Sequence, residues 1–252
     1  MRAAFVTGAN CDIGHETIAL LAAKGYKILA HWRKEGSVFE KSYQTYKDMG
    51  IEVEPFFADL ADTDAVTRMC DAILAQPVEL GAFVNVAGGS AAYGAHGITP
   101  ANIIHTVNMN LVSPMIIAHK LLPLMAEDSS MIFTSAITGF HAGWQATDAC
   151  FDAAKGGLHR FTENLARELG PRTRVNTIVL GLSYVDDNYK EWRDSLKGQF
   201  AMKRISTPAD YVKCVDFLLD HSYITGICLP LEGGWYSYHT APPFPTAVMN
   251  RS

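Results

Sequence analysis

The sequence predicts an α/β protein with a doubly wound parallel sheet, formed as a single domain over residues 1–252. Short apolar runs of strand length alternate with amphipathic stretches of helix length, as in βαβ units. A glycine-rich turn separates the first such run from the first helical stretch. The chain has 252 residues, of which 48% are hydrophobic and 19% charged, so it can bury a full core. Single domains of this length are common among α/β proteins.

Each element follows from local patterning. Strands are expected where apolar residues cluster between turn residues, at Ala3–Val6, Lys27–Trp32, Val53–Ala58, Ala82–Val86, Met131–Ser135, Val175–Leu180 and Ile227–Leu231. Helices are expected where apolar residues recur at helical spacing, at Ile13–Lys24, after a cap at Asp62 or Thr63, and at Asn110–Met125, Thr147–Leu169 and Pro208–Leu219.

Two segments lie outside this alternation. Residues 186–202 are polar and aromatic, which predicts a lid or a small helical insertion over a site. Residues 236–252 contain Pro242, Pro243 and Pro245, so we expect an extended C-terminal tail rather than a helix.

Composition excludes several classes of function. The formal net charge of −5 provides no broad basic surface for nucleic acid. No segment reaches the roughly 20 apolar residues that span a bilayer, and no charged leader precedes Ala3, so we expect a cytoplasmic protein without a membrane partner. The five cysteines are scattered and form no C-x-x-C pair. We therefore expect reduced thiols that mostly fill the core, and no metal site.

The turn after the first predicted strand has the composition of a phosphate-binding loop. Its sequence is Thr7-Gly8-Ala9-Asn10-Cys11-Asp12-Ile13-Gly14. A glycine-rich turn at this position directs backbone N–H groups and a helix N-terminus at a pyrophosphate. The sequence therefore predicts a dinucleotide site that uses Gly8, Asn10, Asp12, Ile13 and Gly14.

Two further motifs accompany this turn. Asn85-Val86-Ala87-Gly88 follows the fourth predicted strand, and Phe151 stands four residues before Lys155 in a predicted helix. With Thr7-Gly8, they resemble the Thr-Gly-x-x-x-Gly-x-Gly, Asn-Asn-Ala-Gly and Tyr-x-x-x-Lys elements of the short-chain dehydrogenase/reductase family. The resemblance implies a Rossmann-type fold and a nicotinamide dinucleotide cofactor. It extends to two short C-terminal motifs, Thr225-Gly226 and Glu232-Gly233-Gly234.

The resemblance also implies cofactor contacts residue by residue. Asp59 would contact the adenine, and the remaining cofactor residues would be Leu60, Asn85, Ala87, Gly88 and Lys155. Asp12 departs from the family, in which a glycine lets the backbone approach the cofactor closely. A carboxylate adds bulk and negative charge beside an anionic ligand, so the alternative of a chain that binds no dinucleotide stays open.

The end of the second predicted strand bears on which dinucleotide is bound. An acidic residue there would bind a ribose 2′-hydroxyl, whereas a basic one would bind a 2′-phosphate. The chain has His31-Trp32-Arg33-Lys34 and no acid, which favours NADP(H) over NAD(H), with Arg33 on the phosphate. Alternatively, Arg33 and Lys34 are solvated loop charges, and Asp12 would disfavour an extra phosphate if its carboxylate points that way.

The family's active site implies an asparagine, a serine, a tyrosine and a lysine. Asn110, Ser135 and Lys155 match three of them, and Phe151 replaces the tyrosine. A phenyl ring cannot transfer the proton that a phenol transfers. The stretch from Ser135 to Phe151 is longer than is usual in the family, and the alternative is an offset pairing that puts Ala136 in the serine's place.

Other side chains are candidates for the proton donor. Asp148, Asp152 and Lys155 recur at i, i+4 and i+7, roughly on one face of a helix. A buried carboxylic acid with a raised pKa can donate a proton as a phenol does, although acids in a first turn commonly only stabilise the helix dipole. Tyr184, in the loop after the sixth predicted strand, is a second candidate. Weaker candidates are His141 and Cys150.

These residues leave three hypotheses for function. The first is an NADP(H)-dependent oxidoreductase that acts on a small apolar or aromatic carbonyl, imine or enone. The others are a non-redox enzyme on the same scaffold (cyclase, isomerase, dehydratase or dehalogenase) and a catalytically silent binding subunit. The aromatic residues that suggest such a ligand are Trp144, Tyr184, Tyr189, Trp192 and Phe200. Two long predicted helices match those that pair between subunits in the family, which implies a homodimer or homotetramer.

Overall fold

The computed structural model describes residues 2–89, 98–140, 149–183 and 190–235, with the backbone alone described at 190, 192 and 193. Seven parallel strands form one sheet in the order β3-β2-β1-β4-β5-β6-β7. The strands are β1 Arg2–Thr7, β2 Lys27–Trp32, β3 Val53–Phe57, β4 Glu79–Asn85, β5 Met125–Ala136, β6 Thr173–Leu180 and β7 Cys228–Leu231. The predicted fold class, a doubly wound parallel sheet, is confirmed.

Helices cover both faces of the sheet. Their bounds are α1 Asp12–Ala23, α2 Ser37–Asp48, α3 Thr63–Leu74, α4 Pro100–Val107, α5 Ser113–Lys120, α6 Ala149–Leu169, α7 Lys190–Leu196 and α8 Pro208–Asp220. One core lies between the sheet and α3, α5 and α6, with Phe5, Phe83 and Phe133 in its centre. A second core lies on the opposite face beneath α1, α2 and α8. Burial on both faces explains the continuous apolar runs in the central strands β1 and β4.

The topology creates a crevice between β1 and β4. The strand order runs from β1 outward to β3 in one direction and from β4 to β7 in the other. Open α/β sheets bind ligands outside the carboxyl ends of their strands at such a switch point. The turn from Thr7 to α1 and the loop after Asn85 both start there.

The predicted helix Asn110–Met125 is wrong in its bounds. A helix begins earlier, at Pro100 with Thr99 as its cap, and passes through a π-helical turn, Asn108–Val112, into α5. It ends at Lys120 because Pro123 lies in the 3-10 turn that follows. The fifth strand starts at Met125 rather than Met131, and Asp128, with a φ of 58°, lies within it.

Helix α2 has no counterpart in the sequence prediction, because only Ser42 and Tyr46 on it are buried and its apolar signal is weak. Its aromatic residues pack around Trp32, whose indole Nε1 donates to Ser42 Oγ at 2.7 Å. Of the cysteines expected to fill the core, only Cys70 is fully buried, and all five are free thiols.

Residues 190–199 of the 186–202 segment are helical. Helix α7 and a 3-10 turn, Lys197–Gln199, lead into a small cluster formed by Leu196, Phe200 and Ile205. Residues 186–189 and the tail 236–252 lie outside the described residues, as do the first residues of the helix predicted at Thr147–Leu169. Within the described ranges, no helix combines the length and apolar character needed to cross a bilayer.

Candidate active site

A cavity of about 430 Å³ opens at the carboxyl ends of β1, β4, β5 and β6. Its wall is mostly apolar and includes Ile13, Val86, Ile137, Leu180, Phe200 and Trp235. The polar and catalytic candidates on the same wall are Ser135 and Lys155, with Phe151 beside them. The structure thus brings the predicted dinucleotide turn and the predicted catalytic residues to one site.

Glycines shape the turn between β1 and α1. Gly8 has a φ of 81°, and a Cβ there would lie 2.9 Å from the backbone nitrogen of Ala87. A Cβ on Gly14 would overlap the carbonyl oxygen of Gly8. Both positions therefore require glycine, and the backbone can follow a ligand closely along this turn.

Cys11 caps α1 within the same turn. Its Sγ accepts from the Gly14 N–H at 3.4 Å and donates to the Gly8 carbonyl at 3.3 Å. Burial raises the pKa of this thiol, and the neighbouring charge of Asp12 adds to the rise. Asn10 and Asp12 are exposed at the mouth of the turn.

Asp12 is accommodated without strain, because it takes the first position of α1 and its φ is not positive. Its charge is nevertheless felt nearby, since it adds to the raised pKa of Glu16, which burial raises first. A negative charge at a helix N-terminus weakens the attraction of that N-terminus for an anion. The Asp12 side chain therefore fits the turn without distorting the backbone. Its negative charge remains at the N-terminus of α1.

Hydrogen bonds join the two loops at the crevice, the β1–α1 turn and the loop after β4. Thr7 Oγ1 donates to Asn85 Oδ1 at 3.1 Å and accepts from the Ala87 N–H at 3.2 Å. On the other side of the turn, Tyr46 Oη donates to the carbonyl of Ala9 at 2.6 Å. Tyr46 was missed by sequence reasoning, since α2 itself was missed.

Arg33 and Asp59, predicted to contact opposite ends of an adenosine moiety, contact each other. Arg33 Nε and Nη2 lie 2.9 and 2.8 Å from Asp59 Oδ2. Burial opposes ionisation of Asp59, but the Ala61 N–H and Arg33 outweigh it and lower the pKa of this carboxyl. Leu60, next along the chain, is buried, and its carbonyl accepts from Ser113 Oγ. The residues at this end of the crevice therefore form one ordered surface.

His31, at the end of β2, is fully buried beside this surface. Its Nε2 is 2.8 Å from the Ala58 carbonyl, and burial lowers its pKa to about 4. The imidazole is therefore neutral at pH 7, and the basic character of the His31-Trp32-Arg33-Lys34 segment comes from Arg33 and Lys34 alone.

Asn110 lies in the π-helical turn and is completely buried. Its Nδ2 donates to the carbonyls of Gly89 and Thr106, each at 2.9 Å, and its Oδ1 accepts from the Gly89 N–H at 3.1 Å. A Cβ on Gly88 would lie 2.8 Å from Asn110 Oδ1 and 2.9 Å from Lys155 Nζ. Gly88 is thus the point at which the predicted asparagine and lysine converge.

Lys155 is buried to 4% exposure, and its Nζ donates to the Thr134 carbonyl at 2.9 Å. Burial lowers the pKa of this amine to about 8. The ring of Phe151 lies with its centroid 5.5 Å from Nζ, within the range of a cation–π contact. The position expected to hold a phenol therefore holds an apolar wall against the amine.

Ser135 lies on the cavity wall at 2% exposure, and its Oγ donates to the Lys155 carbonyl at 3.1 Å. Its hydroxyl proton is therefore used within the protein. Ala136, the alternative occupant of the serine's place, follows at the end of β5 on the same wall.

The remaining donor candidates are placed less favourably. Asp152 is half-buried in the first turn of α6 and is not on the cavity wall in the part of the chain that is described. Tyr184, Asp148 and His141 lie outside the described residues. Among the ranges the structure covers, no cluster of side chains suited to a metal ion is found.

Sequence reasoning missed three further wall residues, Leu196, Gln199 and Trp235. The signals that could have found them are the aromatic segment 186–202 and the Gly233-Gly234 pair. Both glycines have positive φ and turn the chain so that Trp235 packs near Phe200, with ring centroids 6.4 Å apart.

The amino-acid sequence of this chain is similar to those of known proteins. The profile of the family described as short chain dehydrogenase matches residues 2–195. The uncharacterized oxidoreductase YmfI of Bacillus subtilis is 29% identical over 248 residues, covering 93% of this chain and 99% of that protein. The 3-oxoacyl-[acyl-carrier-protein] reductase MabA of Mycobacterium tuberculosis is 29% identical over 243 residues, covering 92% of each.

A solved structure agrees with these relatives. A blue fluorescent protein from a metagenomic library, in complex with NADPH, superimposes with a TM-score of 0.84 at 25% identity, covering 93% of this chain and 97% of that one. Since the family profile matches well over half of the 252 residues, the chain belongs to the short-chain dehydrogenase family.

Proposed function

We propose that the protein is an NADP(H)-dependent oxidoreductase with an atypical active site, which reduces a small apolar or aromatic carbonyl, imine or enone. The observation that carries the proposal is the convergence of Asn110 and Lys155 on Gly88, at the floor of an apolar cavity that the dinucleotide turn borders. The relatives named above, which are an oxidoreductase and a reductase, support it.

The residues present fit a dinucleotide. Gly8 and Gly88 let the two loops at the crevice pack closely without a side chain at either position, and the N-terminus of α1 lies beside them. Gly8, Asn10, Ile13 and Gly14 would hold the pyrophosphate, Asp59, Leu60, Asn85 and Ala87 the adenosine, and Lys155 the nicotinamide ribose. When bound, the dinucleotide supplies the hydride. Asn110 keeps the floor ordered, and the apolar wall excludes water from the reacting carbon.

Arg33 supports NADP(H) over NAD(H). Its side chain is 69% exposed, and Asp59 accepts from Nε and pairs with Nη2 at the edge of the crevice. A guanidinium has five N–H donors and suits a phosphate. Two of them are engaged by Asp59, which holds the others ready for a 2′-phosphate.

The test is Arg33→Ala, measured by quenching of tryptophan fluorescence on titration with NADPH and NADH. Loss of a charge-assisted contact should weaken NADPH binding about 10- to 100-fold and leave NADH binding nearly unchanged. Lys41→Ala, on the exposed face of α2, removes the same charge and serves as the control. Equal affinity of the variant and the wild type for NADPH would remove the argument for NADP(H).

Phe151 favours a second candidate, a non-redox enzyme on this scaffold such as a cyclase, isomerase, dehydratase or dehalogenase. The Phe151 ring beside Lys155 has no proton to transfer. Such a wall suits a reaction in which no alkoxide has to be protonated. The third candidate is a catalytically silent binding subunit. Asp12 and Phe151 would then be two losses of one ancestral enzymatic activity. Consumption of NADPH with a panel of ketones, imines and enones supports the reductase, and binding without consumption supports the second candidate. Absence of NADPH binding supports the third.

We also propose a homodimer or homotetramer that pairs through the α4–α5 and α6 side. Ile103, Ile104 and Met115 are large apolar residues exposed on that side. Sedimentation velocity of the wild type and an Ile104→Glu variant would detect dissociation.

A further inference from the structure

Lys155 is the buried cation of the cavity wall. Among the described residues that line the cavity, only Cys11 and Lys155 carry titratable side chains. The Cys11 thiol gives its proton to the Gly8 carbonyl, and its pKa is raised by burial, so it is a poor acid. The Ser135 hydroxyl gives its proton to the Lys155 carbonyl. Lys155 is therefore the one remaining acid of useful strength on the described wall.

We infer that the Nζ ammonium of Lys155 is the proton donor for a carbonyl bound in this cavity, the task that a phenol at position 151 would have. The inference rests on the proposed reductase function. An ammonium carries three N–H donors, and the Thr134 carbonyl accepts one of them. Lys155 lies on the cavity wall, and the neighbouring Gly88, whose missing Cβ would lie 2.9 Å from Nζ, places no side chain over the amine. The Phe151 ring, with its centroid 5.5 Å from Nζ, gives the cavity wall an apolar surface beside the amine.

The proton transfer balances without a further reactant. The bound dinucleotide would supply a hydride, and with it both electrons, to the carbonyl carbon. The N–H bond of the Lys155 ammonium breaks and an O–H bond forms on the carbonyl oxygen, which yields an alcohol and a neutral amine. Water returns a proton to Nζ before the next turnover. Because burial lowers the pKa of Lys155 to about 8, the amine is mostly protonated at pH 7 yet releases its proton readily.

Few charges face Lys155 from the elements around it. From β5 the neighbours are the neutral Thr134 and Ser135, and from the β4 loop and the π turn they are neutral as well. On α6 the ionisable neighbours are Asp152 and His159. Burial first, then Arg160, lowers the pKa of His159, so this imidazole is neutral where Lys155 titrates. Cys11 is the other titratable residue on the described cavity wall.

The first test measures the amine itself. In protein labelled with ¹³C at lysine Cε, the signal absent from Lys155→Met should titrate with a midpoint near pH 8, well below the ordinary lysine pKa of 10.5. The measurement is made on the free protein and repeated with NADPH bound. A Lys155 midpoint above pH 10 in both states would overturn the inference even if the wild type turns over.

The second test compares Lys155→Arg with the wild type. Arginine keeps the cation and its hydrogen bonds to ribose, but its pKa above 12 prevents proton release. At saturating NADPH, kcat should fall about 10²- to 10⁴-fold, while NADPH affinity falls less than about 10-fold. Wild-type kcat should decline as the pH rises above the Lys155 titration midpoint that is measured for the NADPH-bound protein.

Chemical rescue separates proton supply from misfolding. In Lys155→Ala, ethylammonium should restore part of kcat, whereas tetramethylammonium, which has no proton to give, should not. Equal kcat for Lys155→Arg and the wild type contradicts the inference alone. A wild type that binds NADPH but oxidises none of it with the carbonyl panel contradicts the proposed reductase, and the inference falls with it.

Discussion

The β1–α1 turn and the α6 wall of the cavity each carry a residue that differs from the one that the family resemblance implies, and the expected consequences differ. At Asp12 the backbone is regular, because this residue begins α1 and the close packing of the turn depends on Gly8 and Gly14. At Phe151 the geometry is also kept, with the ring beside Lys155 Nζ. Only the second substitution removes an atom that takes part in chemistry.

The comparison teaches that binding by backbone groups tolerates side-chain changes better than proton transfer does. An added carboxylate at a helix N-terminus changes affinity by the energy of one partly solvated charge. A missing phenol removes an acid that commonly contributes about 10²- to 10⁴-fold in rate. We therefore expect dinucleotide binding to tolerate Asp12 better than proton transfer tolerates Phe151.

The sharpest way to break the comparison is Phe151→Tyr. Restoring a phenol near Nζ should create or raise carbonyl reduction by up to about 10²- to 10⁴-fold, because the amine lowers the pKa of a nearby phenol. Steady-state NADPH oxidation with the ketone panel measures it. Phe200→Tyr adds a phenol to the same wall away from Lys155 and should give no gain. If Phe151→Tyr also gives none, a phenol at position 151 adds nothing to proton transfer in this cavity.

The next effect concerns the turn. Gly8→Ala and Gly25→Ala place alanine at nearly equal backbone angles, φ 81° and 84°, so each should lose about 1 kcal/mol of stability. Only Gly8 has Ala87 in the way, whereas nothing lies within 4 Å of a Cβ at Gly25. Gly8→Ala should therefore also weaken NADPH binding about 100-fold. Equal NADPH affinity of the two variants would show that the turn does not touch the dinucleotide.

A smaller effect concerns the stability cost of Lys155. Its pKa falls from 10.5 to about 8 on folding, so keeping it charged at pH 7 costs about 3 kcal/mol. Lys155→Met removes this cost but leaves the Thr134 carbonyl without its donor, which offsets part of the gain. The variant should therefore be more stable than the wild type by about 2 kcal/mol at pH 7. Between pH 8 and 10.5 the unfolded chain binds more protons, so wild-type stability rises with pH and the gap narrows.

Urea unfolding of both proteins at pH 7, 8.5 and 10 measures this gap. Lys47→Met, an exposed lysine on α2, is the control and should show no such convergence. A gap of constant size across this range would mean that Lys155 is not neutralised there.

The smallest effect is expected at Asp12. Asp12→Asn removes one charge at the N-terminus of α1 and should tighten NADPH binding about 2- to 5-fold at low salt. The gain should shrink at 0.5 M salt as the charge is screened. Glu16→Gln, one turn further along α1, should have a weaker effect. Equal gains in the two variants would assign the change to net charge rather than to the turn.

Short-range patterns predicted the scaffold well, and long-range packing decided the site. The bounds of β2 match the prediction, and Gly8, Gly14 and Gly88 lie at the crevice as the motifs implied. The missed helix α2 has only two buried side chains, and the π turn at Asn110 cannot be read from apolar spacing. Both depend on what the helix packs against.

The sequence by itself determined the doubly wound sheet, the glycine turn and the absence of a phenol at position 151, because periodicity, turn chemistry and residue identity are local. Only the tertiary structure decided that Arg33 pairs with Asp59, that the Ser135 hydroxyl turns to the Lys155 carbonyl, and that Lys155 is buried enough to lower its pKa. These are contacts between residues 20 or more apart in the chain. Their energies depend on desolvation and direction, which exist only once the sheet and helices are assembled.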